Sequence, residues 1–322
     1  MTLDLPTFAD VRAAAVRIKA HARRTPVLND PLLDAEFGAR LYFKCENLQH
    51  GGAFKFRGAI NAVFALDAAT AARGVVTQSS GNHGTAIALA AARRGVSAHV
   101  VVPRNAPAIK LAQIRAAGAN VVLCEPSMAA REAACAQLLA STGGSLVHPF
   151  DNSMVIAGQG TAALELLAEV PDLDALIAPV SGGGLLSGSL LAARGLNPRM
   201  AVFGAEPEQA ADAFESLRQG RRITDMTPDT ICDGLRAHLG ERAFAILHPA
   251  QVPILLASEA AIVAHMRRIW ERLKLVIEPS CAVPLAALAN ERARFAGQRI
   301  GIIISGGNVD LDHLPWQTLT SR

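Results

Sequence analysis

Lys55 lies in Gly51-Gly52-Ala53-Phe54-Lys55-Phe56-Arg57-Gly58, and three polar, glycine-bearing loops follow it at wide intervals. They are Ser79-Ser80-Gly81-Asn82-His83-Gly84, Ser181-Gly182-Gly183-Gly184-Leu185 and Ser305-Gly306-Gly307-Asn308. A lysine half-buried between two phenylalanines has a lowered amine pKa, and a neutral amine forms imines with aldehydes. Taken alone, it is more simply a surface cation paired with a carboxylate; the other loops change that balance. Successive glycines after Val180 let several backbone N–H groups face one anion, and a helix over Leu185 to Ala193 adds positive potential. A phosphate fits there, although a tight strand-to-helix turn with nothing bound has the same composition. The Ser79 to Gly84 turn offers hydroxyls, a carboxamide and close backbone approach, enough to hold a substrate carboxylate while Asn82 meets a ring oxygen. His83 could serve there as a base or pack as a loop-stabilising imidazole. Lysine, phosphate cradle and hydrogen-bonding loops together suit an aldehyde cofactor with a phosphate tail.

Each loop follows a short apolar run, and the runs alternate with helical stretches, the pattern of an α/β fold with mainly parallel sheet. Strands are predicted over Leu41–Lys44, Gly74–Gln78, Ala98–Val102, Val121–Cys124, Leu146–His148, Ala175–Val180, Ala201–Ala205, Val252–Leu256 and Arg299–Ile304. Helices are predicted over Phe8–Ala22, Phe56–Leu66, Ala108–Ala117, Met128–Leu139, Ile156–Val170 and Ser258–Lys274, with Ser258 as an N-cap and Gly118 and Gly195 as stops. Ligands of such sheets bind at the carboxyl ends of strands, where the three polar loops then fall.

At 322 residues, 51% hydrophobic, the chain can bury a large core and is expected to form two lobes. A net charge of +3 from 31 basic and 28 acidic residues, scattered rather than clustered, makes nucleic acid a poor partner. No secretory signal or membrane span is visible, and the apolar run Thr85 to Ala92 ends in Arg93-Arg94, as a buried helix would. Five widely spaced cysteines without a C-x-x-C pair read as reduced thiols in a cytoplasmic protein.

From Glu46-Asn47-Leu48-Gln49 through Val309-Asp310-Leu311 the chain resembles the fold-type II pyridoxal-phosphate enzymes of the tryptophan synthase β-like superfamily, and within them the serine racemase and serine/threonine dehydratase group. Phe54-Lys55-Phe56-Arg57-Gly58 favours that branch over cysteine-synthase-like relatives. The resemblance implies a two-lobed α/β fold with parallel sheets flanked by helices, in which residues 1–47 and 149–322 form the large cofactor-binding domain and 48–148 the small one. It implies that Lys55 joins pyridoxal 5'-phosphate as an imine, that Phe54 packs beside the ring and that Asn82 meets the phenolic oxygen. Gly182, Gly183, Gly184 and Leu185 supply phosphate-binding amides, with Ser181 in place of the usual glycine, and Ser305 meets the pyridine nitrogen. A neutral serine there leaves the ring a weaker electron sink than an aspartate would, which favours β-elimination. The substrate amino acid is held by Ser79, Ser80, Gly81, Asn82 and His83. Ser80 matches the serine that exchanges a proton on the opposite face in racemases, or it binds only the carboxylate. Glu206, the Ala210 carbonyl and Asp212 match an all-oxygen site for Mg²⁺ or Ca²⁺, against the plainer reading of a solvated acidic loop.

The expected activity is an ammonia-lyase that dehydrates a β-hydroxy amino acid, by default L-threonine or L-serine, in a homodimer. Serine racemisation is the alternative. Ala53 and Ala237 replace hydroxyl-bearing residues usual in the family, which widens the choice to 3-hydroxyaspartate or 3-phenylserine. Arg131, Arg236 or His238 could receive a distal carboxylate, and Cys281 either lines the pocket or is an inert buried thiol. Biosynthetic threonine dehydratases carry a regulatory domain beyond the Ser305 loop; none is expected here.

Overall fold

Runs such as Arg299-Ile-Gly-Ile-Ile-Ile304, buried over five of six positions, are apolar on both faces and suit the middle of a parallel sheet covered on both sides. The computed structural model describes residues 3–317 and places them in that setting. Its strands are β1 Val27–Leu28, β2 Arg40–Cys45, β3 Val75–Gln78, β4 Ala98–Pro103, β5 Asn120–Cys124, β6 Ser145–Leu146, β7 Ala175–Pro179, β8 Ala201–Pro207, β9 Ile254–Ala257 and β10 Arg299–Ile304. One sheet has the order β1-β2-β10-β7-β8-β9 and a second β5-β4-β3-β6. Every pairing is parallel except β1 with β2. All nine expected strands form with ends moved by one or two residues, and β1 is the addition, too short to show a period.

Alternate residues of the large sheet face two helical layers. Leu41, Phe43, Ile177, Ile300 and Ile302 pack with helices Glu259–Leu273 and Pro279–Asn290. Leu176, Ala178, Val202 and Ile303 pack with helices Ser153–Glu169 and Gly184–Leu196. Ser258 caps the first of these helices through Ala261 N, and Gly118, at φ +94°, follows the helix that ends at Ala116. Gly195 is not a stop. It lies inside Gly184–Leu196, where an added Cβ would come 2.2 Å from the Phe8 ring, so its smallness serves packing of the N-terminal helix. Among the described residues no helix is long and apolar enough to cross a membrane.

Helix Lys55–Ala65, which carries the candidate lysine, is fixed in two ways. Its Gly58 abuts Gly158 of helix Ser153–Glu169: a Cβ on Gly158 would lie 2.6 Å from the Arg57 carbonyl, so the helices touch backbone to backbone. Arg57, fully buried, is paired through Nε with Glu46 at 2.7 Å and through Nη1 with Glu165 at 2.7 Å, and Lys44 completes the network on Glu165 at 2.7 Å. Truncating one member of such a cluster strands the opposite charges. Arg57→Met is therefore expected to destabilise the fold by about 3–5 kcal/mol, read from denaturant midpoints; a shift under a quarter of that would mean Glu46 and Glu165 find other partners.

Candidate active site

All four loops leave strand carboxyl ends: the Lys55 segment after β2, Ser79 after β3, Ser181 after β7 and Ser305 after β10. They are stitched together. Ala53 pairs with Gly306 in an antiparallel bridge, and Phe54 N donates to the Ser305 carbonyl at 2.9 Å. Lys55 Nζ donates to the Pro149 carbonyl at 2.9 Å and lies 5.2 Å from the Phe54 ring centroid. The next residue, Phe150, presses its ring on the glycine loop, where a Cβ on Gly182 would fall 2.2 Å from a ring carbon. Burial drives the Lys55 amine down to about 8, although nearby Glu278 acts in the opposite sense. Lys55 is part-buried, and the groups packed around its amine keep water from it.

Gly183, at φ +83°, turns the chain into helix Gly184–Leu196, and no side chain caps that N-terminus. The first amides of a helix have no partner inside it, so this 13-residue helix presents free donors and the positive end of its dipole. Ser181 Oγ donates to the Ala237 carbonyl and accepts from Ala237 N, both at 3.0 Å, a role glycine could not fill. Its hydroxyl thus supports the loop's neighbour, residues 237–240, whose Gly240 N also bonds the Gly182 carbonyl.

Asn82 opens helix Asn82–Arg94 and bonds Glu278 and Asn308. Ser305 Oγ lies 3.2 Å from Cys281 Sγ, which also exchanges bonds with both backbone groups of Gly306. Burial pushes that thiol upward, which favours the inert reading of Cys281; all five cysteines are buried and free. His83 is buried with Nε2 3.3 Å from the Val147 carbonyl and Nδ1 unmatched, and burial, with Lys55 adding to it, holds the imidazole well below its usual value. It is neutral at physiological pH. Ser79 Oγ accepts from Gly81 N, while the Ser80 hydroxyl has no hydrogen-bond partner among the described residues.

Of the three candidates for a distal carboxylate, two are engaged. Arg236 is half-exposed and bonds the Thr230 carbonyl, and His238 Nε2 lies 2.6 Å from the Met226 carbonyl. Arg131 Nε is buried without a partner. Glu206 accepts from Ala213 N and Phe214 N, Asp212 from Leu239 N, and burial raises both carboxyls, Asp212 to about 6 and Glu206, with Asp212 repelling it, well above the ordinary carboxylate value.

The residues missed from the sequence are Glu278 and Asn308. Glu278 had one signal, a lone acid inside the apolar run Leu275-Val-Ile-Glu-Pro279, but nothing local says which amide it would meet.

A lysine of lowered basicity beside an uncapped helix N-terminus, at the strand ends of two α/β sheets, defines an enzyme built for a carbonyl cofactor bearing an anion. The chain belongs to the family of pyridoxal-phosphate dependent enzymes, which it matches over residues 18–306. A beta-hydroxyaspartate dehydratase of Paracoccus denitrificans (strain Pd 1222) is 49% identical over 312 residues, 97% of this chain and 99% of that protein. An L-threo-3-hydroxyaspartate ammonia-lyase of Saccharomyces cerevisiae is 46% identical over 308 residues, 95% of this chain and 94% of that one. The structure of maize serine racemase superposes with a TM-score of 0.94 at 43% identity, over 96% of this chain and 95% of that chain. The site fits the cofactor on its own chemistry, because its free amides suit the phosphate and its amine suits the aldehyde.

Proposed function

We propose that this protein is an ammonia-lyase that dehydrates 3-hydroxyaspartate to a 2-keto acid and ammonia. The choice of this substrate over serine or threonine rests on Arg131. Helix Met128–Thr142 starts just beyond the carboxyl end of β5, and Arg131 shares a face with Cys135 and Leu138, which pack on Val76 and Val101. It therefore lies over the strand ends from which the Ser79 loop departs. Gln78, two residues beyond Val76 on the same side of β3, has a buried unmatched Oε1. A side chain carrying a carboxylate and a hydroxyl gives the guanidinium an acceptor and the carboxamide a donor. The names of the relatives from Paracoccus and Saccharomyces point the same way.

Lys55, Phe54, Asn82, Ser181, Gly182, Gly183, Gly184, Leu185 and Ser305 would hold pyridoxal phosphate, which when bound would supply an electron sink for charge released at the substrate Cα. Ser79, Ser80, Gly81, Asn82 and the neutral His83 hold the α-carboxylate. Lys55 Nζ, in the neutral form that its lowered basicity makes accessible, takes the α-proton. The β-C–O bond breaks and the hydroxide takes up a proton to leave as water, which balances the α-proton taken by Lys55; the released enamine becomes an imine, and water adds to it to give keto acid and ammonia. A second reading, racemisation, rests on the unengaged Ser80 hydroxyl, which is free to carry a proton on the other face.

Incubating the cofactor-loaded enzyme with the stereoisomers of 3-hydroxyaspartate, L-serine and L-threonine, while following keto acid, ammonia and enantiomer ratio, tests both. Keto acid and ammonia in equal amounts, fastest from 3-hydroxyaspartate, is the expected result. Inverted substrate without keto acid would replace lyase by racemase. The homodimer belongs to the same proposal, and light scattering that reads a single chain's mass would remove it.

A divalent cation held by Glu206, the Ala210 carbonyl and Asp212 is the remaining part, since two buried carboxyls that resist ionisation together gain from a positive charge between them. Mg²⁺ is expected to raise the melting temperature of the wild type after chelator treatment, and to leave Asp212→Asn unmoved. Equal shifts in both would put the ion elsewhere.

A further inference from the structure

Asn82 reaches from the small sheet's helix to the N-terminus of helix Pro279–Asn290, where its Nδ2 lies 3.1 and 3.2 Å from the two carboxylate oxygens of Glu278. Its Oδ1 accepts from Asn308 Nδ2 at 2.8 Å, and the same nitrogen donates to the Gly51 carbonyl at 2.7 Å. These contacts orient both amides on chemical grounds. A backbone carbonyl only accepts, so Asn308 must turn its NH₂ group toward Gly51. Asn82 must then offer its oxygen to Asn308 and its NH₂ group to Glu278, whose carboxylate accepts it. A carboxamide is nearly symmetric in shape and flips at little steric cost, so this network, not packing, selects one of its two orientations.

An amide NH₂ has two N–H bonds at fixed angles in one plane. Once Glu278 accepts from one, the direction of the other is set. We infer that Glu278 is a positioning residue that locks Asn82 with its second N–H aimed at the ring oxygen of the cofactor; this rests on the proposed contact between Asn82 and that oxygen. A glutamine at 278 could face Asn82 with either end and, with Asn308 alone then selecting the orientation, would tolerate the flipped amide more readily. An ionised carboxylate has only acceptors and does not.

The carboxylate is costly where it stands. Glu278 is buried, its Oε1 lies 3.0 Å from where a Cβ on Gly306 would sit, and burial pushes it up to about 7, against the hydrogen bonds from Asn82 and the charge of Lys110. A neutral glutamine of the same shape would fold at lower cost. An expensive group retained beside a binding loop is a mark of use in binding.

Stability and cofactor handling should accordingly move in opposite directions. The test compares wild type, Glu278→Gln and Asn82→Ala in three readouts: melting temperature of the cofactor-free protein, dissociation constant for pyridoxal phosphate, and visible spectrum of the loaded enzyme. Glu278→Gln is expected to melt at or above the wild-type temperature, to bind cofactor about ten-fold more weakly, and to shift the cofactor band in the direction Asn82→Ala shifts it. If Asn82→Ala moves affinity and spectrum while Glu278→Gln moves neither, the positioning role is wrong. A Glu278→Gln protein that melts several degrees lower would assign the carboxylate to folding instead and equally overturn it. If Asn82→Ala itself moves neither readout, the ring-oxygen contact fails first.

Discussion

Lys55→Ala should form keto acid at least about 10³-fold more slowly than wild type on every substrate, because it removes both the cofactor's anchor and the base for the α-proton. Its fold should survive. The wild-type amine is held at about 8 by burial, so its protonated form is costly in the folded protein at pH 7, and that cost disappears only as pH rises past the ordinary lysine value of 10.5. Removing the group at neutral pH should leave the melting temperature of the cofactor-free protein unchanged or raised. The same shift predicts how the wild type takes up cofactor. At pH 7 an amine of this basicity is about one-tenth neutral, against roughly three parts in ten thousand for an ordinary lysine. Cofactor capture by the stripped enzyme should therefore speed up as pH rises toward 8 and level off above it, measured by stopped-flow absorbance. A rate that keeps climbing to pH 10 would mean the amine is not desolvated.

For Arg131→Leu the expected effect is selective. Loss of a desolvated guanidinium–carboxylate pair costs about 2–5 kcal/mol, and more than half of that range exceeds a hundred-fold in rate. The variant should lose several hundred-fold in kcat/KM on 3-hydroxyaspartate and change only a few-fold on L-serine, which has no second carboxylate. Equal losses on both substrates would show that Arg131 supports the small lobe rather than reads the substrate, and would return serine or threonine to first place.

Much of this was legible in the sequence because the carriers are local. Arg299 to Ile304 is apolar throughout, a glycine run opens a helix after Val180, and Lys55 sits in a motif of eight residues. What escaped depends on residues far apart in the chain. Asn82 and Glu278 are 196 positions apart, and Asn82 and Asn308 226 apart, so no window of sequence contains the amide and the groups that orient it. Ser181 is a similar case. The sequence places it with the phosphate-binding residues in the position of a usual glycine, whereas its hydroxyl closes on the backbone of Ala237, 56 residues away and itself a position where the family usually carries a hydroxyl. Gly195 was misjudged for the opposite reason: its local meaning, a helix stop, yielded to the Phe8 ring packed against it.

Most groups proposed to face the cofactor stand on the large sheet and those proposed to face the substrate on the small one, with Asn82 serving both. Lys55 is tied to helix Ser153–Glu169 by the Gly58–Gly158 contact and by Arg57, and the Ser181 and Ser305 loops leave strands of the large sheet that this helix covers. The Ser79 loop, Gln78 and Arg131 belong to the small sheet. Such a division lets one half drift while the other is held. Changes confined to the small sheet could then alter the substrate without disturbing the reactive half, in a family where one chain 49% identical to this protein is named a dehydratase and another, 43% identical, a racemase.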